Sequence, residues 1–264
     1  MPTKLGQNFL KDETVVKKII ESADLKQDDF VIEIGPGKGI LTEELAKKAG
    51  KVLAVEIDTK LIDPLKNRFK DQKNIEIINE DVLNINLSEI FSRYAIRDMR
   101  YKIVANIPYY ITSPIIRLFL EQENQPREMI LMVQKEVAER IVSKPGKMSI
   151  LAVSVQYYAD AEILFGVGKD SFDPAPEVDS AVIKITPAQK FTAANKEETK
   201  YFFRIVRAGF SAKRKTLINN LSAGLQIEKN DVEEKIKALG LKPTARAQEL
   251  SVEDWKDLAL SFRT

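Results

Sequence analysis

Neither cysteine nor histidine occurs in this chain. Without cysteine there is no disulfide, no thiolate zinc site and no cysteine nucleophile. Without histidine the commonest general base, the usual metal ligand and every Ser-His-Asp arrangement are excluded. Long apolar runs are missing too: none approaches the roughly 18 residues a membrane-spanning helix needs. The opening stretch, MPTKLGQNFLKDE, lacks the apolar core of a signal peptide. The chain therefore reads as cytoplasmic, with no membrane and no metal among its expected partners. The absence of histidine favours reactions in which a cofactor supplies the reactivity.

What is present is ordinary for a globular protein: 264 residues, 44% hydrophobic and 30% charged. That length suits one large domain, or a large one with a small one. Apolar runs at 30–35, 51–58, 75–81, 101–106, 128–134 and 180–187 read as strands. Between the first two, Leu41, Leu45 and Ala49 recur at a four-residue spacing, and Gly50 follows where a helix would stop. Alternation of this kind implies βα units, a parallel sheet and an α/β fold. After residue 187 only helical spacing remains. The expected division is 1–187 and 188–264, with a junction in PAQKFTAANK.

The expected strands end on polar residues in a regular way. The first runs into GPGKGILTEEL, where glycines let backbone approach a ligand and a helix N-terminus favours negative charge. The spacing is G-x-G-x-G, and Leu41 stands six residues after Gly35, which departs from the dinucleotide fingerprint and disfavours NAD. The following strands end on Glu56-Ile57-Asp58, Glu80-Asp81 and Asn106. Counted from Gly35, marks at 56, 81 and 106 are 21, 25 and 25 residues apart, about one βα unit each. In a parallel sheet they share the carboxyl edge, where open α/β sheets bind ligands. Glu56, one strand along, suits a ribose diol, and Asp81 can accept from a nucleobase amine. That edge is expected to hold a nucleoside cofactor.

Asn106 then begins the run NIPYY. Its side-chain oxygen and the Ile107 carbonyl can accept from an amino group. Pro108 fixes its φ and has no N–H, and Tyr109 offers a flat ring. Together they suit a flipped-out adenine.

This stretch resembles the NIPY motif of adenine N(6)-methyltransferases that act on RNA. GQNFL (6–10), EIGPGKGILT (33–42), VEID (55–58), EDVL (80–83), MVQKEVAERI (132–141) and FDPAPEVDSAV (172–182) look like that family's successive motifs. FSAKRKTLINNL (210–221) and ARAQELS (245–251) resemble the ribosomal small-subunit RNA adenine dimethyltransferase branch rather than the macrolide-resistance branch. The resemblance implies a Rossmann-like class I methyltransferase sheet with a small all-helical, RNA-binding C-terminal domain. It also implies S-adenosyl-L-methionine as cofactor. The implied substrate is a pair of adjacent adenosines in a hairpin near the 3′ end of small-subunit rRNA, in an assembling subunit, each converted to dimethyladenosine. Asn8 and Leu10 would contact the cofactor, Gly35 and Gly37 would pack on its methionine part, and Glu56 with Ile57 would hold the ribose. Asp81 with Val82 would take the adenine. Asn106 would serve both the cofactor and the target amine, Pro108 would belong to the same catalytic turn, and Tyr109 and Phe172 would clamp the target base. The N-terminal arm ahead of these motifs is very short.

Charge is nearly balanced, 41 basic against 39 acidic residues, but unevenly spread. From Lys200 to Ile227 there are six basic residues and no acid. A solvated helix face and a phosphate-binding surface both account for this. Helical spacing would put Arg207 and Arg214 on one face, and under the resemblance they bind RNA with Lys213 and Lys215. Two other functions stay open: large-subunit rRNA methylation of the resistance type, and a non-catalytic RNA-binding assembly factor.

Overall fold

The computed structural model describes residues 7–96, 101–188 and 195–263. Gly6, and residues 189–194 of the expected junction, lie outside the described residues. Two compact units result. The first comprises the chain up to Ala138 together with Ala159–Ala188, and the second comprises Glu139–Tyr158 together with everything after residue 188.

The first unit is built on strands β1 (Phe9–Leu10), β2 (Phe30–Ile34), β3 (Lys51–Glu56), β4 (Ile75–Asn79), β5 (Tyr101–Asn106), β6 (Glu128–Gln134), β7 (Ala159–Val167), β8 (Phe172–Asp173) and β9 (Ser180–Pro187). Its helices are α1 (Glu13–Ser22), α2 (Ile40–Lys48), α3 (Thr59–Arg68), α4 (Leu87–Arg93) and α5 (Thr112–Leu120), and α6 (Lys135–Ile141) follows β6. Seven strands form one sheet in the order β4-β3-β2-β5-β6-β9-β7. The β4, β3, β2, β5 and β6 strands pair in parallel, whereas β9 pairs antiparallel with both β6 and β7. The sheet is thus mixed rather than wholly parallel. From β2 the chain winds one way to β3 and β4, then returns to β5 on the other side of β2 and continues to β6. That reversal opens a crevice at the carboxyl ends of β2 and β5.

Burial explains why these segments are strands. Every residue of β2 is buried, as are Tyr101 to Ala105 of β5, so both read as continuous apolar runs. Leu41, Leu45 and Ala49 lie in the core against this sheet. Lys102 is the exception on β5. Its ammonium is buried but satisfied by Asp29 at 3.3 Å, Glu128 at 2.8 Å and the carbonyls of Ala23 and Asp24. A buried cation persists only with such partners.

The second unit contains α7 (Ile150–Gln156), α8 (Lys196–Gly209), α9 (Leu217–Leu225), α10 (Lys229–Ala238) and α11 (Val252–Ser261). Among the described residues it has helices and turns only. The segment Glu139–Tyr158 falls on this side of the division, although 1–187 reads as one stretch in the sequence. Aromatic packing accounts for it: Tyr157 stacks on Phe202 with ring centroids 4.3 Å apart and meets Phe203 edge-on at 5.3 Å. The Gln248 carbonyl also accepts from the backbone N–H groups of Gly146 and Met148.

Helical spacing misleads at 213–215. Helix α8 ends at Gly209 and α9 begins at Leu217, so Lys213, Arg214 and Lys215 occupy the turn between them. Thr216 caps α9 through the Asn219 N–H. The buried Asn220 amide ties the turn to the carbonyls of Gly209 and Ala212. All three basic side chains are exposed, as are Arg204 and Arg207 on α8, and none of the five makes an ion pair among the described residues.

Candidate active site

A cavity of about 380 Å³ opens at the crevice between β2 and β5. Asn8, Leu10, Gly35, Gly37, Glu56, Ile57, Asp81, Val82, Asn106, Pro108 and Tyr109 all line it. These residues come from five separate segments, and the sheet edge brings them together.

The glycine turn forms one wall. Gly35 and Gly37 both take positive φ, 67° and 58°, which side-chain-bearing residues rarely adopt. A Cβ on Gly37 would also lie 3.0 Å from the Phe9 ring, and one on Gly35 would face the Asn106 carbonyl and Pro108 at 3.9 Å. The turn therefore packs closely against the N-terminal segment on one side and the β5 turn on the other.

Glu56 closes the next wall. One carboxylate oxygen accepts from the Gly37 N–H at 3.2 Å and the other from the Asp58 N–H at 2.9 Å. Asp58, not Glu56, caps α3, through the Lys60 N–H. A carboxylate has about four acceptor sites, so Glu56 keeps capacity for two more donors on the cavity side. Burial raises its pKa, opposed by the same two backbone N–H groups. Asp81 is arranged similarly: it accepts from the Leu83 N–H at 3.0 Å and the Asn84 amide at 3.1 Å, and one lone pair remains on each oxygen.

Glu33 is a cavity residue that the strand pattern concealed, because it sits inside the apolar run FVIEI. It is buried, and its Oε2 has no hydrogen-bond partner. Burial pushes its pKa up to about 8. The nearby Thr42 hydroxyl opposes this but is itself unpartnered, and repulsion from Glu56 adds to the rise. The folded protein thus holds a proton that the unfolded chain releases near the ordinary value of 4.5. Between these two pH values the native state binds more protons, so stability falls as pH rises, by up to about 1.4 kcal/mol per pH unit from this group. Glu33→Gln should remove that slope. Without cofactor, the variant is expected to gain on the wild type by on the order of a few kcal/mol between about pH 5 and pH 8. Denaturant melts at both pH values measure it, and a pH-independent difference would mean that Glu33 is ionised in the fold.

The turn after β5 forms the remaining wall. The Asn106 amide nitrogen makes one long contact, 3.5 Å to the Asn8 carbonyl, and its side-chain oxygen has no partner among the described residues. Pro108 stands at φ −55° and ψ 128°, and Tyr109–Ile111 then form a single 3-10 turn. Tyr109 is half-buried, and its hydroxyl bonds the Ser180 hydroxyl at 2.7 Å. Ser180 is fully buried at the start of β9, so it fixes the ring from behind. Nothing in the NIPYY run points to Ser180. The stretch VDSAV does, once β9 is known to lie beside β6.

The resemblance sets Phe172 opposite Tyr109; it is not among the residues that line this cavity. It is 1% exposed and belongs to a buried cluster with Leu10, Val16, Val167 and Val182. The cause is β8, which pairs antiparallel with β1 so that Leu10 stands against Phe172. The FDP stretch therefore anchors the segment carrying Asn8 and Leu10, with support from Lys11 N–H to the Ser171 carbonyl and Ser171 Oγ to Asp12.

Comparison with known proteins agrees with this geometry. The family described as ribosomal RNA adenine dimethylase matches residues 1–263. The ribosomal RNA small subunit methyltransferase A of Dehalococcoides mccartyi (strain CBDB1) is 46% identical over 258 residues, 98% of this chain and 87% of that protein. Its namesake in Streptococcus thermophilus (strain CNRZ 1066) is 40% identical over 263 residues, 98% of this chain and 90% of that one. Among solved structures, a dimethyladenosine transferase from Plasmodium falciparum is 26% identical with a TM-score of 0.79, covering 97% of both chains. The 23S rRNA methyltransferase ErmE is 27% identical with a TM-score of 0.75, covering 97% of this chain and all of that one. A glycine turn, two carboxylates and an Asn-Ile-Pro-Tyr turn around one cavity, in a chain matched almost end to end, lead to one assignment: the protein belongs to the ribosomal RNA adenine dimethylase family.

Proposed function

We propose that this protein transfers methyl groups from S-adenosyl-L-methionine to the 6-amino groups of two adjacent adenosines. These lie in a hairpin near the 3′ end of small-subunit rRNA, within an assembling subunit in the cytoplasm. The observation that carries the reading is the free acceptor of Asn106 at the end of β5, in the same cavity as Gly35, Glu56 and Asp81. Relatives named for the small subunit are 40–46% identical to this chain, against 27% for the large-subunit enzyme ErmE, which favours the small subunit.

The cofactor supplies a methyl group on a sulfonium, already activated for transfer. The cavity fits such a molecule: two spare acceptor positions on Glu56 suit a ribose diol, and those on Asp81 suit an adenine amine. Gly35 and Gly37 let backbone approach, with Asn8, Leu10, Ile57 and Val82 filling the sides. The target amine is a poor nucleophile because its lone pair is delocalised into the ring. Asn106 Oδ1 and the Ile107 carbonyl accept its hydrogens and favour the more tetrahedral nitrogen of the transition state. Tyr109 holds the base in line, and positioning of this kind can correspond to roughly 7–11 kcal/mol of barrier. The proton leaves to water after attack, so no histidine is needed.

Glu56→Ala should act through the cofactor, weakening its binding by roughly 1–3 kcal/mol if two charge-assisted hydrogen bonds are lost. Calorimetric titration reads this, and an unchanged dissociation constant would remove the ribose from Glu56. On the helical unit, Arg207 with Lys213, Arg214 and Lys215 bind phosphates. Neutralising Arg207 and Arg214 should weaken RNA binding, spare cofactor affinity and lower the salt slope of log K by about 0.7–0.9 per lost contact. Parallel lines across a salt series would return these arginines to the solvated surface.

The function itself is tested by offering methyl-labelled S-adenosylmethionine with immature small subunits, large subunits and naked RNA. Label should enter small subunits. Entry into protein-free large-subunit RNA instead would favour the resistance-type activity, and no transfer would favour a binding factor.

A further inference from the structure

Tyr110 stands at the mouth of the cavity in a different condition from its neighbour. Tyr109 is half-buried and tied to Ser180, whereas Tyr110 is 64% exposed, with no hydrogen bond or ring contact among the described residues. It is the most exposed of the large hydrophobic side chains described. Single exposed apolar residues are common and need no explanation. This one lines the cavity and rides on a fixed turn. Pro108 sets the entry, the Ile111 N–H bonds the Pro108 carbonyl at 3.1 Å, and the Thr112 hydroxyl bonds the Tyr109 carbonyl at 3.1 Å.

The turn type separates the two rings. In a 3-10 helix of about three residues per turn, consecutive side chains point roughly 120° apart. Tyr109 and Tyr110 therefore cannot close on the same base from two sides. Extruding a nucleotide leaves its neighbour without a stacking partner, at a cost of a few kcal/mol. An exposed ring beside the pocket can replace that partner, and stacking tolerates any base while favouring the larger purines.

Resting on the adenine methyltransferase reading above, we propose that Tyr110 stacks the nucleobase adjacent to the one held by Tyr109, and so favours substrates with two neighbouring purines. Tyr110 is then a substrate-binding residue for the flanking nucleotide, not for the base being methylated.

The test pairs Tyr110→Ala, Tyr110→Phe and wild type with small subunits carrying either adenosine or uridine beside the target. Tyr110→Ala should lower kcat/KM for the adenosine-flanked subunit about thirtyfold, the middle of the range for one stacked base. Cofactor affinity should not change, and Tyr110→Phe should restore most of the rate. The uridine substitution should slow wild type but add little to the alanine variant, because both remove one interaction. Rates within twofold for Tyr110→Ala, or effects of the two changes that simply multiply, would overturn the proposal while leaving the methyltransferase reading intact. Absence of transfer by wild type to either subunit would overturn both.

Discussion

Asn106→Ala is expected to lower single-turnover methyl transfer by about 10²-fold or more while cofactor affinity stays within a few-fold of wild type. The size follows from removing an acceptor that acts on charge developing in the transition state, for which single-group deletions cost about 10²–10³ in rate. The sparing of the cofactor follows from the geometry. Glu56 and Asp81 stand on β3 and just after β4, held by their own backbone N–H contacts, and neither depends on the Asn106 side chain. The one contact that would be lost, to the Asn8 carbonyl, is already long at 3.5 Å. Asn106→Asp keeps an acceptor oxygen and should be milder. Calorimetry with S-adenosylmethionine and a single-turnover assay on one preparation measure both quantities. Activity within about twofold of wild type would take Asn106 out of the mechanism.

Tyr109→Ala should have the second largest effect, through loss of a stacked base worth about 1–3 kcal/mol and of the alignment it provides. Tyr109→Phe keeps the ring face and should retain most activity. Its cost falls elsewhere: the buried Ser180 hydroxyl loses its partner, so about 1–3 kcal/mol of stability is at risk. Burial also raises the Tyr109 pKa, which keeps the phenol protonated as a hydrogen-bond group. Ser180→Ala should resemble Tyr109→Phe, and the double variant should be no worse than the poorer single one, since both delete one bond. Turnover and thermal melts for the three variants decide. A Tyr109→Phe enzyme as inactive as Tyr109→Ala would give the hydroxyl a chemical role.

The fold was legible wherever burial is continuous. The strand bounds at 101–106, 128–134 and 180–187 coincide with β5, β6 and β9, because largely buried strands carry mostly apolar side chains, with Lys102, Glu128 and Lys184 as the charged exceptions. β7 was not legible. It is an edge strand with exposed Asp160, Glu162 and Ile163, and an irregularity between Ile163 and Phe165 breaks the two-residue alternation. The site was readable along the strand ends, since residues 35, 56, 81 and 106 are spaced by whole βα units. Its long-range ties were not. Ser180 behind Tyr109 and β8 beneath β1 each join segments far apart in sequence, and no local pattern encodes a pairing between residues 71 positions apart. The same limit hides the place of Phe172 in the buried cluster with Leu10, which its motif does not announce. Lys213 to Lys215 followed a helical spacing that the caps on either side interrupt.

The most direct measurement is the identity of the modified nucleoside. Small subunits are incubated with the protein and methyl-labelled S-adenosylmethionine, and their RNA is digested and resolved by mass spectrometry, with the labelled positions mapped. The expected result is N6,N6-dimethyladenosine at two adjacent positions near the 3′ end of the small-subunit RNA, with its formation slowed about 10²-fold or more by Asn106→Ala. Label on another base, or on a ring carbon or the ribose rather than the exocyclic amine, would contradict an amine held by Asn106 beside Tyr109.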